Sequence, residues 1–120
     1  MALHLKRVYE EASDSDGKRI LVDRLWPRGI SKQKARLDEW EKDIAPSPSL
    51  RKWFQHDPNR FEEFKQEYRK ELDTHPEKIA AVSRVLLLSE NETVTLIYGA
   101  KDSVHNHAIV LKEYLEEKES

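Results

Sequence analysis

Two arginines, a carboxylate and an indole stand close together in the string Val22-Asp23-Arg24-Leu25-Trp26-Pro27-Arg28-Gly29. A guanidinium is a planar cation with a fork of donors, suited to phosphate and carboxylate groups. Pro27 removes a backbone donor and Gly29 permits positive φ, so a strand entering this string must end in it. A second string, Tyr98-Gly99-Ala100-Lys101-Asp102-Ser103, carries a cation after another apolar run, with Asn106 a little beyond. If the two preceding strands are parallel neighbours, Arg24, Arg28, Lys101 and Asn106 converge near the N-terminus of the last helix. Exposed N–H groups and the helix dipole favour an anion there, and open α/β sheets bind ligands beyond their strand carboxyl ends. The expected ligand bears a phosphate or carboxylate, nucleotide-like molecules included. Arg24, Arg28 and Lys101 would hold it, Asn106 would orient it, and Trp26 would lie beside it.

Each of these residues also has a structural reading. Arg24 and Arg28 could pair with Asp23, Asp43 or helix-borne glutamates and merely fix the loop. Asp23 and Asp43 each end an apolar run before a proline-containing turn, which makes them the carboxylates to consider for acid–base work. Nearby arginines would lower their pKa values and favour a salt bridge instead. Among the histidines only His105-Asn106-His107 is dense. Helical positions two apart point different ways, so no metal is expected there. His107 borders the apolar stripe of the last helix and is the histidine candidate for proton transfer; its alternative is a satisfied, partly buried side chain. Trp53 reads as core, whereas Trp26 either covers the core or stacks on a nucleobase. Neither string is GxxxxGK[ST] or GxGxxG, so ATP-driven chemistry of those classes is not expected, and no cofactor is implied.

The elements that must position these residues follow from periodicity and punctuation. Residues 3–9 alternate as a strand with Leu3, Leu5 and Tyr9 on one face, and residues 19–23 form a second, continuous apolar strand. Whether the two pair as a long-looped hairpin is open. Ser31 caps a short helix through Ala35, and residues 37–44 read as irregular or as an edge segment. Ser47-Pro48, Asp57-Pro58 and His75-Pro76 each mark a helix start. The first helix buries Leu50, Trp53 and Phe54. The second buries Phe61, Phe64, Tyr68 and Leu72, and the third Ile79, Val82, Val85 and Leu86. Residues 94–98 form a buried strand. A final helix, capped by Asp102 or Ser103, turns Val104, Ala108, Leu111 and Leu115 inward, and residues 116–120 fray. The expected fold is α/β: a small mixed sheet covered by amphipathic helices in a single domain over residues 1–120.

Length and composition narrow the classes. A chain of 120 residues buries enough surface for one core. It has no cysteine, which excludes disulfides and thiolate metal sites and fits a reducing, cytoplasmic setting. No signal-peptide run and no membrane span is present. Residues 1–60 hold 13 Lys and Arg against 10 Asp and Glu, and residues 61–120 hold 8 against 13. Such a balance disfavours coating of nucleic acid, which needs a clear basic excess, and tolerates one local cationic pocket.

Read together, Lys6-Arg7-Val8-Tyr9, Asp16-Gly17, the run from Arg19 to Gly29, Leu37-Asp38-Glu39-Trp40, Thr95-Leu96-Ile97-Tyr98, Ala100-Lys101 and Asn106-His107-Ala108-Ile109-Val110-Leu111 resemble the YeaO-like family. Shorter matches at Pro46-Ser47, Leu50-Arg51, Tyr68 and Glu71-Leu72 extend the resemblance over nearly the whole chain. The family, a bacterial and archaeal domain of unknown function numbered 488, implies a compact α/β domain and transfers no established activity. Its characteristic positions include Arg24, Trp26, Arg28, Lys101, Asn106 and His107; Gly99 stands where Ser or Ala is expected. Three functions remain in competition. One is a ligand-binding domain or enzyme for a small anion, with Asp23 or His107 as proton-transfer group. The others are a nucleic-acid module stacking on Trp26, and a protein-interaction domain if Trp40 is exposed. Oligomeric state is left open.

Overall fold

The computed structural model describes residues 3–119. Its strands are β1 (Leu3–Arg7), β2 (Lys18–Leu21), β3 (Glu39–Trp40) and β4 (Val94–Tyr98), in the spatial order β1-β4-β2-β3. Every pair is parallel. The sheet is therefore not mixed as expected, and β1 and β2 form no hairpin, because β4 lies between them. Parallel neighbours need long crossover connections, which the helices between β3 and β4 supply.

One face of the sheet carries the larger core. Leu3, Ile20, Val22, Val94, Leu96 and Tyr98 meet helices α2 (Pro48–Phe54), α3 (Phe61–Thr74), α4 (Pro76–Asn91) and α5 (His107–Glu119). The proline-marked starts form as the sequence implies. Ser47 accepts the Leu50 N–H ahead of Pro48, and Asp57 accepts the Asn59 N–H ahead of a 3-10 turn that leads into α3. The α3 stripe of Phe61, Phe64, Tyr68 and Leu72 is buried, and Phe54 of α2 stacks on Phe64 at 4.2 Å between ring centroids.

The opposite face is thin. Leu21 and Ile97 meet Val8, Ile30 and Ala35, the last on the short helix α1 (Lys32–Ala35), with Trp26, Leu37 and Trp40 at the margin. Residues 37–44 resolve into the edge strand β3 and a 3-10 turn. Beside this small apolar patch lies a buried ionic knot. The Asp16 carboxylate accepts from Lys6 of β1 at 2.8 Å, from Arg19 of β2 at 2.6 Å and from the Ser13 N–H at 3.0 Å. Arg19 also donates to the carbonyls of Ala35 and Arg36, fastening the end of α1.

Several inward assignments fail, each for a local reason. Trp53 is 36% exposed and lies under the Arg60 guanidinium rather than in the core. Tyr9 follows the end of β1 and is half exposed, leaving Val8 to fill the thin face. On α4 the buried row is Lys78, Ala81, Val82, Val85 and Ser89, so Ile79 faces out. Val104 is 60% exposed because α5 begins only at His107. The same helix stays regular through Glu119, where fraying was expected; Ser120, like Met1 and Ala2, lies outside the described residues. No helix of the described residues is long and apolar enough to cross a membrane.

The Asp16 knot gives a stability prediction. Burial raises the Asp16 pKa, but hydrogen bonds from Lys6, the Ser13 N–H and Arg19 outweigh it and bring the value to about 2. A carboxyl lowered in the folded state adds stability above its unfolded pKa and loses it as pH falls through the folded value. For Asp16 the contribution is about 2 kcal/mol, lost between roughly pH 4 and pH 2. Asp16→Ala should cost about 3 kcal/mol or more at neutral pH, because it strands the buried Arg19. Urea unfolding of the variant checks this, and a loss under about 1 kcal/mol would contradict it.

Candidate functional site

Because all four strands run the same way, the segments that follow them emerge at one end of the sheet. A single cleft of about 830 Å³ opens there. Tyr9 comes from the segment after β1, residues 23–28 from that after β2, Ala45 and Pro46 from that after β3, and residues 99–102 from that after β4. Helix α2 adds Arg51, Lys52 and Phe54, α3 adds Phe64, and α5 adds His107. Of the expected site residues, Asp23, Arg24, Trp26, Arg28, Lys101 and His107 all line this one space. Asp43 does not: it is exposed on the 3-10 turn, and its backbone carbonyl accepts from Lys78.

The arginines of the cleft differ from most of those elsewhere. Arg19, Arg36, Arg60, Arg69 and Arg84, all outside it, each reach a carboxylate within 4.0 Å. Arg7 donates to the carbonyls of Gly99 and Ala100. Arg24, Arg28 and Arg51 have no carboxylate partner among the described residues, and neither do Lys52 and Lys101. The structural alternative of salt bridges from Arg24 and Arg28 to Asp23 or Asp43 is thus not formed. Arg24 makes only long bonds, 3.4 Å to the Pro46 carbonyl and 3.5 Å to that of Ala45. Arg28 is anchored through its backbone, where its carbonyl accepts from the Tyr9 hydroxyl at 2.8 Å, leaving its guanidinium exposed.

One wall is pinned residue by residue. Lys78 donates to the Asp43 carbonyl at 3.1 Å, Tyr68 to that of Ile44 at 2.7 Å, and Arg24 to the next two. Glu71 then accepts from the Ser47 N–H and hydroxyl. Lys78 is 1% exposed, and burial followed by the nearby Arg24 charge lowers the pKa of its ammonium. Sequence reasoning missed Lys78, although it heads the row that Val82 and Val85 continue. It also missed Arg51, Lys52 and His56, whose signal was only a basic patch around the end of α2.

At the floor, Asp23 Oδ2 accepts the Gly99 N–H at 2.9 Å. Oδ1 is buried, makes no hydrogen bond and lies 3.3 Å from His107 Nε2. That nitrogen is 3.0 Å from the Val22 carbonyl, which can only accept, so Nε2 carries a proton directed at Val22. Burial holds the His107 pKa below its ordinary value, opposed in part by the Asp23 charge. A Cβ at position 99 would come within 3.0 Å of Asp23 Oδ2, so glycine leaves that carboxylate in place where Ser or Ala was expected.

Asn106 has another task. It is 1% exposed, does not line the cleft, accepts the Ile109 N–H at 3.0 Å and donates to the Asp102 carbonyl at 2.8 Å. Asn106 therefore caps α5, in place of the expected Asp102 or Ser103. Asp102 instead accepts the N–H groups of His105 and Val104 and pairs with the His105 ring, contacts that lower its pKa to about 2. Trp26 donates to the Ile30 carbonyl and meets the half-buried Trp40 edge-on at 5.4 Å, so its ring builds a wall. Among the described residues no three His, Asp or Glu side chains gather as a metal site.

Residues 2–120 match the family described as the inactive DUF488-N3 subclade. The uncharacterized protein YeaO of Escherichia coli K12 is 44% identical over 115 residues, which are 96% of this chain and 97% of that protein. An uncharacterized protein of Mycobacterium tuberculosis H37Rv is 40% identical over 113 residues, covering 94% of this chain and 92% of its own. No solved structure matches the chain.

The capping role of Asn106 is separable from ligand contact. Asn106→Ala should lower stability by about 1–2 kcal/mol in urea unfolding, and Asn106→Ser, which keeps a capping oxygen for the Ile109 N–H, should recover part of it. Equal losses in both variants would refute the cap.

Proposed function

Because the chain belongs to the YeaO-like DUF488 family, in its inactive N3 subclade, we propose that the cleft binds a small phosphate- or carboxylate-bearing molecule without transforming it. The observation that carries this reading is the set Arg24, Arg28 and Arg51, which line one space and have no carboxylate partner among the described residues. Cations lining one cleft give it a positive potential that a bound anion offsets. The volume of about 830 Å³ suits a ligand of nucleotide size. Tyr9, Leu25, Phe54 and Phe64 offer apolar surface to its uncharged part.

A nucleic-acid reading is less well supported. Its stacking platform was Trp26, whose indole is engaged by Ile30 and Trp40. Arg24, Arg28 and Arg51, which have no carboxylate partner among the described residues, are also gathered in a cleft rather than spread along a face that could follow a phosphate backbone.

A panel of nucleoside monophosphates and sugar phosphates tests the proposal by thermal shift. A ligand at about ten times its Kd adds about 1.4 kcal/mol, or roughly 5 °C in Tm for a chain of this length. Arg28→Ala should abolish the shift, and Lys34→Ala, an exposed cation on α1 outside the cleft, should keep it. No shift with any compound, or equal shifts in both variants, would remove the basis for the reading.

A further inference from the structure

The anion-binding reading leaves open what the floor of the cleft does. His107 and Asp23 lie there, and neither contributes a fixed positive charge. The His107 Nε2–H is committed to the Val22 carbonyl, so in the neutral ring the lone pair belongs to Nδ1. Nδ1 hydrogen-bonds to no group among the described residues, and the ring lines the cleft. A lone pair repels the oxygen of an anion, whereas a protonated Nδ1 donates to it. An anionic oxygen therefore contacts this nitrogen only if the ring gains a proton.

The surroundings are arranged for that gain. Asp23 Oδ1, buried and without another donor, lies 3.3 Å from Nε2 and stabilises an imidazolium. Its second oxygen is tied to the Gly99 N–H, which fixes the carboxylate behind the ring. Against protonation stand burial first, then the Arg51 charge from α2 and His56 just beyond it. Tyr68 of α3 meets the ring edge-on at 6.2 Å and stays neutral, its pKa driven up by burial. A bound anion offsets the cationic neighbours and leaves Asp23 to act.

Resting on the anion-binding reading, we propose that His107 is the protonatable contact of the site. It takes a proton from solvent through Nδ1 as a dianion such as a phosphate monoester binds, and Asp23 is its positioning residue. A group whose proton affinity is raised by ligand adds binding strength that is complete below its free pKa and is lost as pH rises through its bound pKa. The cleft thus holds a dianion more tightly in mild acid.

Sulfate is the probe, because its own charge does not change across this range. Isothermal titration should show wild-type Kd falling about tenfold between roughly pH 8 and pH 5.5, the effect of one unit of pKa elevation. Heats in two buffers of different ionisation enthalpy should report uptake of a proton near neutrality. His107→Gln should flatten the pH profile, while His4→Gln, exposed on β1 outside the cleft, should retain it. Asp23→Asn, which keeps an acceptor for Gly99, should move the acid limb to lower pH. Should His107→Gln fail to fold, imidazole NMR on the wild-type protein decides, with the His107 midpoint rising at saturating sulfate. Sulfate binding that is lost in Arg28→Ala yet independent of pH, or uptake that maps to His56, overturns this proposal alone. No sulfate binding at any pH overturns it together with the anion-binding reading.

Discussion

The parallel register of β2 against β4 is the constraint on which the rest depends. It is set at the start of β2, where Gly17 adopts φ +65° and its backbone presses against Thr93 so closely that a Cβ would lie 2.2 Å from the Thr93 oxygen. Lys18 then donates to that same carbonyl, and Thr95 Oγ1 reaches the Asp16 carbonyl at 2.7 Å. With Leu21 opposite Ile97, β2 ends one residue before β4. Asp23 and Gly99 fall two residues past these partners and meet through a hydrogen bond. A slip of one residue would turn Ile20 and Val22 away from the helices and separate this pair at the cleft floor.

Much of the architecture was readable because it is local. Proline after a capping residue marks α2 and the turn before α3, and the four-residue spacing of Phe64, Tyr68 and Leu72 specifies the buried side of α3. Strand order was not readable, because β1 meets β4 across most of the chain and no local feature encodes that partnership. The face of α4 was misjudged by one position for a related reason. Lys78 takes a place that composition assigns to Ile79, since its stem lies along apolar surface while its ammonium finds a carbonyl on a distant turn. A propensity scale sees a charge there and cannot see Asp43.

The site divides along the same line. Asp23, Arg24, Trp26, Arg28 and Lys101 follow strands, and a parallel sheet delivers whatever follows its strands to one end. Asn106 was misread because its amide resembles a ligand contact in sequence, while the unmet N–H of Ile109 claims it in the fold. Arg51 falls in the short family match Leu50-Arg51, and Lys52 and His56 in none. They join the cleft because Ser47 and Pro48 start α2 directly beneath the wall formed by Ala45 and Pro46.

The positive charge of the cleft, in a chain of net charge −2, is a consequence of what its carboxylates are doing. Among the described residues only the carboxylates of Asp23 and Asp102 line it. Each accepts backbone N–H groups and faces a histidine, Asp23 with Gly99 and His107, Asp102 with Val104, His105 and the His105 ring. Asp102 is thereby turned toward its own loop and Asp23 toward Gly99 and His107, and the arginines across the cleft are left uncompensated. Arg24 shows the balance most clearly: its carbonyl contacts at 3.4 and 3.5 Å orient the guanidinium yet are too long to satisfy it. Backbone donors that hold the loop conformations thus also determine the sign of the field in the cleft.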